Sequence, residues 1–220
     1  MVSDFRWKSF GITHSYRPLY ASAMHRLLLL LALITTTAYA DESVSVCFNY
    51  GCVTQATVRF SAQQLNSVTQ TLATAHDASE ERTLLAQVIG TLYAWAGMQT
   101  PIHADRGGNY ADAGVQGAMD CIDHSTTTTR FLRLLEQHDA LHFHRVIATT
   151  RRGWIFQHLT ATIEELPPAT ASAASATSVT AAQRPRFAVD SWYVDNGKPA
   201  IVLPLIEWFN DSFNYGGRGA

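Results

Sequence analysis

Cys121 opens the segment D-C-I-D-H-S-T-T-T-T-R-F-L-R-L-L, which follows the glycine-containing run up to Gly117. A thiol at the first turn of a helix meets unpaired backbone N–H groups and the positive end of the helix dipole. Both favour the thiolate, and the same N–H groups are candidate oxyanion donors. The only other cysteines, Cys47 and Cys52, lie close enough in sequence to pair and leave Cys121 free. A thiol nucleophile needs a base and a group to orient the base. His158 in Q-H-L-T-A-T-I and Asp190 in F-A-V-D-S-W supply them if their strands are neighbours. The chemistry of such a trio is thiol-dependent acyl transfer.

Other assignments compete for these roles. Cys121 taken alone reads as an inert buried thiol, and His158 alone as a hydrogen-bonded strand histidine; the helix start and the triad-ordered partners reverse this. His142 or His144 is an alternative base, and Asp195 an alternative orienter, although Asp195 in D-N-G-K is already explained by a turn. His124 follows Cys121 by three residues on nearly the same helix face. With His142 and His144 it forms a possible metal set, completed by Asp120 or Asp123, but no H-E-x-x-H or C-x-x-C motif accompanies it. Asn109 and Gln116 are candidate oxyanion-hole side chains. The run Thr126 to Thr129 reads as helix surface, with one threonine a candidate for facing the site.

The elements that must position these groups are readable from periodicity. Alternating stretches Val44 to Phe48 and Val53 to Phe60 flank N-Y-G and predict a hairpin bridged by Cys47 and Cys52. Ser61 caps a helix expected to reach about His76. Asp77 opens another, with Glu80 completing a capping box. Leu84, Leu85, Val88, Ile89, Leu92, Trp95 and Ala96 recur at helical spacing and describe its buried face; Gly97 and Pro101 end it. A polar loop over 102–118 leads into a third helix from Cys121 to Gln137, with Phe131, Leu134 and Leu135 facing the core.

Three strand signals follow, from Leu141, Trp154 and Arg186. D-N-G-K at 195–198 predicts a hairpin to a returning strand at 200–205, and a short helical tail covers about 206–213. The Ala/Ser/Thr-rich stretch Pro167 to Gln183 reads as a surface insert between paired strands. Helices and strands are largely segregated, which predicts an α+β fold with helices packed on an antiparallel sheet.

The first forty residues read as a leader. Arg26 precedes an apolar run from Leu27 to Ile34, and A-Y-A ends at Ala40. Cleavage after Ala40 and export to the periplasm or medium are expected, with Met24 an alternative start. The apolar run is too short to span a bilayer. Four of the 16 basic residues and one of the 18 acidic ones lie in that leader, so the remainder carries 12 minus 17, a net charge of −5. That balance argues against a nucleic-acid partner. The remaining stretch, 41–220, suits one domain with a sizeable core.

The order of a cysteine at a helix start, a histidine on one strand and an aspartate on the next resembles the transglutaminase-like cysteine hydrolase superfamily. The likeness covers about residues 117–205 and rests on M-D-C-I-D-H, Q-H-L-T-A-T-I and F-A-V-D-S-W. It implies a papain-like core in which Cys121 is nucleophile, His158 general base and Asp190 orienter. It also implies hydrolysis of an amide or peptide bond of cell-envelope proteins or peptides, without a cofactor. The chain departs from the pattern in having Leu159 and Thr160 where an aromatic often follows the histidine. It also has Asp120 and Asp123 around the cysteine, two carboxylates that oppose thiolate formation. The interval between His158 and Asp190 is lengthened by the insert. These departures point to the other expectation, a catalytically silent envelope domain that binds a protein or peptide in the same cleft.

Overall fold

A computed structural model describes residues 41–108, 111–154, 157–167 and 184–210. The expected leader at 1–40, most of the Ala/Ser/Thr insert (168–183) and Asn109 lie outside the described residues.

The described residues begin with an antiparallel hairpin. Strand β1 (Glu42–Phe48) pairs with β2 (Thr54–Phe60), from Glu42 opposite Phe60 to Phe48 opposite Thr54. Four successive residues of its tip, Asn49, Tyr50, Gly51 and Cys52, are left-handed, with φ between 57° and 67°. Only Gly51 adopts that conformation without steric cost. The turn is closed by the expected Cys47–Cys52 disulfide.

Helix α1 (Ala62–Leu72) starts at Ser61 in a reciprocal capping box with Gln64. It stops short of His76. Beyond Leu72 no apolar side chain recurs to be buried, and the Thr71 and Thr74 hydroxyls bond to local backbone carbonyls instead. Helix α2 (Ala78–Gly97) is capped by Asp77, whose Oδ1 accepts from Glu80 N at 2.8 Å. The box is only half formed, because the Glu80 carboxylate accepts from His76 N rather than from the cap. Leu85, Val88, Ile89, Leu92 and Ala96 are buried as expected, and Trp95 is partly buried, 6.2 Å from the Phe60 ring. After a 3-10 turn (Pro101–Ala104), helix α3 runs over Cys121–Gln137, the span expected from the sequence. Phe131 is its central core residue, edge-on to Phe60 and Tyr93.

A four-stranded antiparallel sheet follows, in the order β3 (His144–Arg152), β4 (His158–Glu165), β5 (Arg186–Asp190) and β6 (Ile201–Pro204). Helix α4 (Leu205–Asn210) comes directly after it. Among the described residues there are two antiparallel sheets and four α-helices, an α+β arrangement. Among the described residues no helix is long and apolar enough to cross a membrane.

Strand limits differ from the sequence reading in three places. β3 begins at His144 rather than Leu141, because the His142 and Phe143 N–H groups donate to the Glu81 carboxylate instead of entering the sheet. β4 begins at His158, and Trp154 remains exposed ahead of it. β5 ends at Asp190, so Asp195 to Lys198 is a turn within a longer connection and not a tight hairpin. That connection lies across α2. Ala200 N donates to Ala86 O at 3.0 Å, and a Cβ on Gly90 would stand 2.6 Å from Lys198 O. Only glycine admits so close a crossing.

Candidate active site

His158 and Asp190 come together through the register of β4 and β5. Ala161 pairs with Val189, so one further step sets Asp190 beside Thr160, with His158 on the same face two residues on. Diagonal positions of this kind are within reach of long side chains. The His158 Nε2 and Asp190 Oδ2 atoms are 2.7 Å apart, both residues buried. The carboxylate has two more donors, Trp208 Nε1 to Oδ2 at 2.8 Å and Trp192 N to Oδ1 at 3.1 Å. With Nε2–H held by the carboxylate, the basic nitrogen of a neutral ring is Nδ1.

Aromatic rings surround the imidazole. Trp208 stacks on it at 5.6 Å between centroids, and Trp192 and Tyr193 stand at 5.0 and 5.2 Å. The Arg152 guanidinium lies 4.4 Å over the Trp208 ring and donates to Tyr193 Oη and Trp208 O. The aromatic missing immediately after His158 in sequence is thus supplied from after β5 and from α4.

Cys121 is the first residue of α3, half-buried, and its thiol lies against the start of β4. It donates to Gln157 O at 3.8 Å, and the Leu159 backbone is also within hydrogen-bonding range of the sulfur. Burial pushes the thiol pKa up, and the negative charges of Asp120 and Asp190 push it further in the same direction. Asp120, as N-cap, accepts from Ile122 N and Asp123 N. Those two first-turn N–H groups are therefore occupied, which leaves the Cys121 N–H as the candidate oxyanion donor of this helix.

The disulfide turn is fastened to the same helix end. Tyr50 N and Cys52 N donate to Asp123 at 2.8 and 2.6 Å, Gly51 N donates to Asp120 at 2.9 Å, and Cys47 N donates to Thr127 Oγ1 at 2.9 Å. Gly117 carries a φ of 94°, and a Cβ there would overlap Pro101 O, so the entry to α3 depends on glycine at this position. Burial lifts the Asp123 carboxyl from 3.8 to about 6, with the Asp120 charge adding to it, despite the backbone donors that oppose the shift. A raised folded-state value makes this group's contribution to stability fully present below pH 3.8 and lost as pH rises through about 6. The stability of wild type relative to Asp123→Asn is accordingly expected to fall between pH 4 and pH 7. Urea unfolding at several pH values tests this, and a difference that stays level across the range would remove Asp123 as the source.

The remaining candidates go elsewhere. His144 is buried with Nδ1 2.7 Å from Glu81 Oε1 and Nε2 3.2 Å from Arg82, so neither ring nitrogen is available as a base. His142 is exposed and precedes the strand, and so does not share a strand face with His144. His124 bonds to Asp105 and Ser191, not to the other histidines. The three histidines therefore do not form a metal set. Among the described residues the one close group of ligand atoms joins Cys47, Cys52 and Asp123, two of them tied up in the disulfide. Asp195 Oδ1 accepts from Gly107 N at 3.0 Å, a loop contact. Gln116 is exposed. Thr127 and Thr128 are fully buried rather than on the surface, because each has a polar partner in the interior.

Trp208, Trp192 and the Asp105–His124–Ser191 contacts were not visible as site features in the sequence. The adjacent polar residues Asp190 and Ser191 at the end of an apolar strand were the available signal. No family model, curated protein or solved structure matches this chain.

Proposed function

We propose that this protein is an exported thiol-dependent acyl-transfer enzyme that hydrolyses an amide or peptide bond through Cys121, His158 and Asp190, on a transglutaminase-like core. The supporting observation is the buried His158–Asp190 pair, with Nε2 committed to the carboxylate, together with a cysteine at a helix N-terminus whose thiol lies against Gln157 O, one residue before His158. The disulfide is in keeping with export.

In the proposed reaction the thiol turns from Gln157 O toward His158 Nδ1, which takes its proton. The thiolate adds to the substrate carbonyl carbon, and the oxyanion is met by the Cys121 N–H. The C–N bond then breaks as Nδ1–H protonates the departing amine, leaving a thioester. Water, deprotonated by His158, attacks the thioester and releases the acid and the free thiol. Asp190 holds Nε2–H and fixes the tautomer throughout. Cell-envelope peptides are the proposed substrate class.

A second reading is supported by the raised thiol pKa and by the thiol's bond to Gln157 O: a silent domain that holds a peptide in the same cleft. Iodoacetamide labelling of Cys121 across pH 5–9 separates the two. Hydrolase function predicts labelling at pH 6–7 that is lost in His158→Ala. Slow, unshifted labelling in both proteins favours the binding domain.

A further inference from the structure

Behind the proposed site lies a second string of polar side chains for which that reaction has no use. Ser191 Oγ is 2.8 Å from His124 Nδ1, and His124 Nε2 is 3.0 Å from Asp105 Oδ2. The order and spacing are those of a serine–histidine–aspartate nucleophile set. All three residues are buried, with exposures of 4%, 3% and 0% from serine to aspartate, so a polymeric or bulky substrate does not reach the hydroxyl.

The string is satisfied from within. Thr128 Oγ1 lies 2.9 Å and Tyr93 Oη 3.2 Å from Ser191 Oγ. The second Asp105 oxygen accepts from Met119 N at 2.8 Å. Burial raises the Tyr93 pKa, so its hydroxyl stays protonated and is able to donate, with His124 O 3.2 Å away.

Its attachment points matter more than its resemblance to a triad. His124 stands one helical turn after Cys121, and Met119 two residues before it. Ser191 is bonded directly to Asp190. The string therefore ties the nucleophile's end of α3 to the residue next to the orienting carboxylate, through contacts that reach neither the thiol nor His158. A buried, fully connected hydrogen-bond network is rigid. A displacement of about 1 Å between nucleophile and base costs on the order of a hundredfold in rate.

We propose that Asp105, His124 and Ser191 are positioning residues that set the separation between the Cys121 thiol and the His158–Asp190 pair, an inference that rests on the acyl-transfer reading. The test is a double-mutant comparison in the full-length protein. Ser191→Ala, and separately the isosteric Thr128→Val, are each combined with His158→Ala, and the rate of Cys121 labelling by iodoacetamide is measured at pH 6.5. Circular dichroism establishes that each variant is folded.

The expected result is a fall of about tenfold or more for Ser191→Ala, and a smaller fall for Thr128→Val, with neither substitution having an effect once His158 is absent. The His158 Nε2–H proton resonance is expected to stay in place, because Trp208 and Trp192 still hold Asp190. Equal effects with and without His158 would show a general structural role and overturn the inference. So would an unchanged rate in folded Ser191→Ala. If His158→Ala alone leaves labelling unchanged, the acyl-transfer reading itself falls and this inference with it.

Discussion

In Asp190→Asn, the proposed thiol-dependent amide hydrolysis is expected to drop by about 10³- to 10⁴-fold, with the protein still folded. The carboxylate accepts on both oxygens, from His158 and Trp208 at Oδ2 and from Trp192 N at Oδ1. An asparagine has one acceptor oxygen for those two positions. If the oxygen stays toward Trp192 N, the NH₂ group faces His158 Nε2, which can then only accept. The ring proton moves to Nδ1, and the nitrogen that must take the thiol proton is no longer basic. If the amide turns over, Trp192 N loses its acceptor, while the imidazole keeps its tautomer but loses the negative charge that stabilises imidazolium. Either orientation removes part of the proposed mechanism. The measurement is turnover of a peptide anilide that the wild type cleaves. A variant retaining more than about a tenth of wild-type turnover would exclude Asp190 as orienter.

The largest stability effect is expected away from that site, at Glu81. This carboxylate is fully buried in the first turn of α2, where it accepts from His142 N, Phe143 N and the His144 ring. It joins the start of α2 to the approach to β3 through three hydrogen bonds. Glu81→Ala leaves two part-buried backbone N–H groups and the buried His144 Nδ1 without the carboxylate they contact. The expected cost is about 3 kcal/mol or more. For a chain of this size that lowers the thermal midpoint by roughly 10 °C. Differential scanning calorimetry of Glu81→Ala and Glu81→Gln measures it. Glutamine keeps one acceptor and should lose less, whereas a shift under about 2 °C in the alanine variant would mean that the contacts are replaced by water.

Glu81 also marks the limit of what the sequence made legible. Its place in the first turn of a helix after Asp77 reads as ordinary capping chemistry and dipole complementarity, and nothing local distinguishes it from exposed Glu80. The strand beginning predicted at Leu141 was wrong for the same reason, since the backbone there bonds to a side chain sixty residues earlier. By contrast, α3 was readable to its ends. Asp120 and Asp123 form a local capping box, and its apolar positions repeat with the helical period. The hairpin was likewise readable because turn residues and cysteines lie within it.

Of the candidate site, the pairing of His158 with Asp190 was an expectation conditional on their strands being neighbours, and the β4–β5 register supplies that condition. The surroundings of that pair were not legible in the sequence. Trp192 and Tyr193 looked like a continuation of β5, yet the strand stops at Asp190 and both rings turn toward His158. Trp208 comes from a tail whose periodicity was too short to give it a face. The threonine run looked like surface because hydroxyls are usually solvated, and the buried acceptor and donor partners that reverse this lie in other elements.

The hairpin tip has a consequence for how the thiol comes to be free at all. In an oxidising compartment three cysteines admit three bridges, and either alternative would consume Cys121. Closing Cys47 to Cys52 spans 5 residues, whereas either bridge to Cys121 encloses roughly 70. Loop-closure entropy favours the short bridge by about 2 kcal/mol, or roughly fifty to one. The hairpin can also be bridged before the sheet and α3 have assembled, since its strands are adjacent in the chain. Oxidation in that order would protect the third sulfur, because Cys47 and Cys52, its potential partners in a mispaired bridge, would already be joined to each other when α3 docks on Tyr50, Gly51 and Cys52.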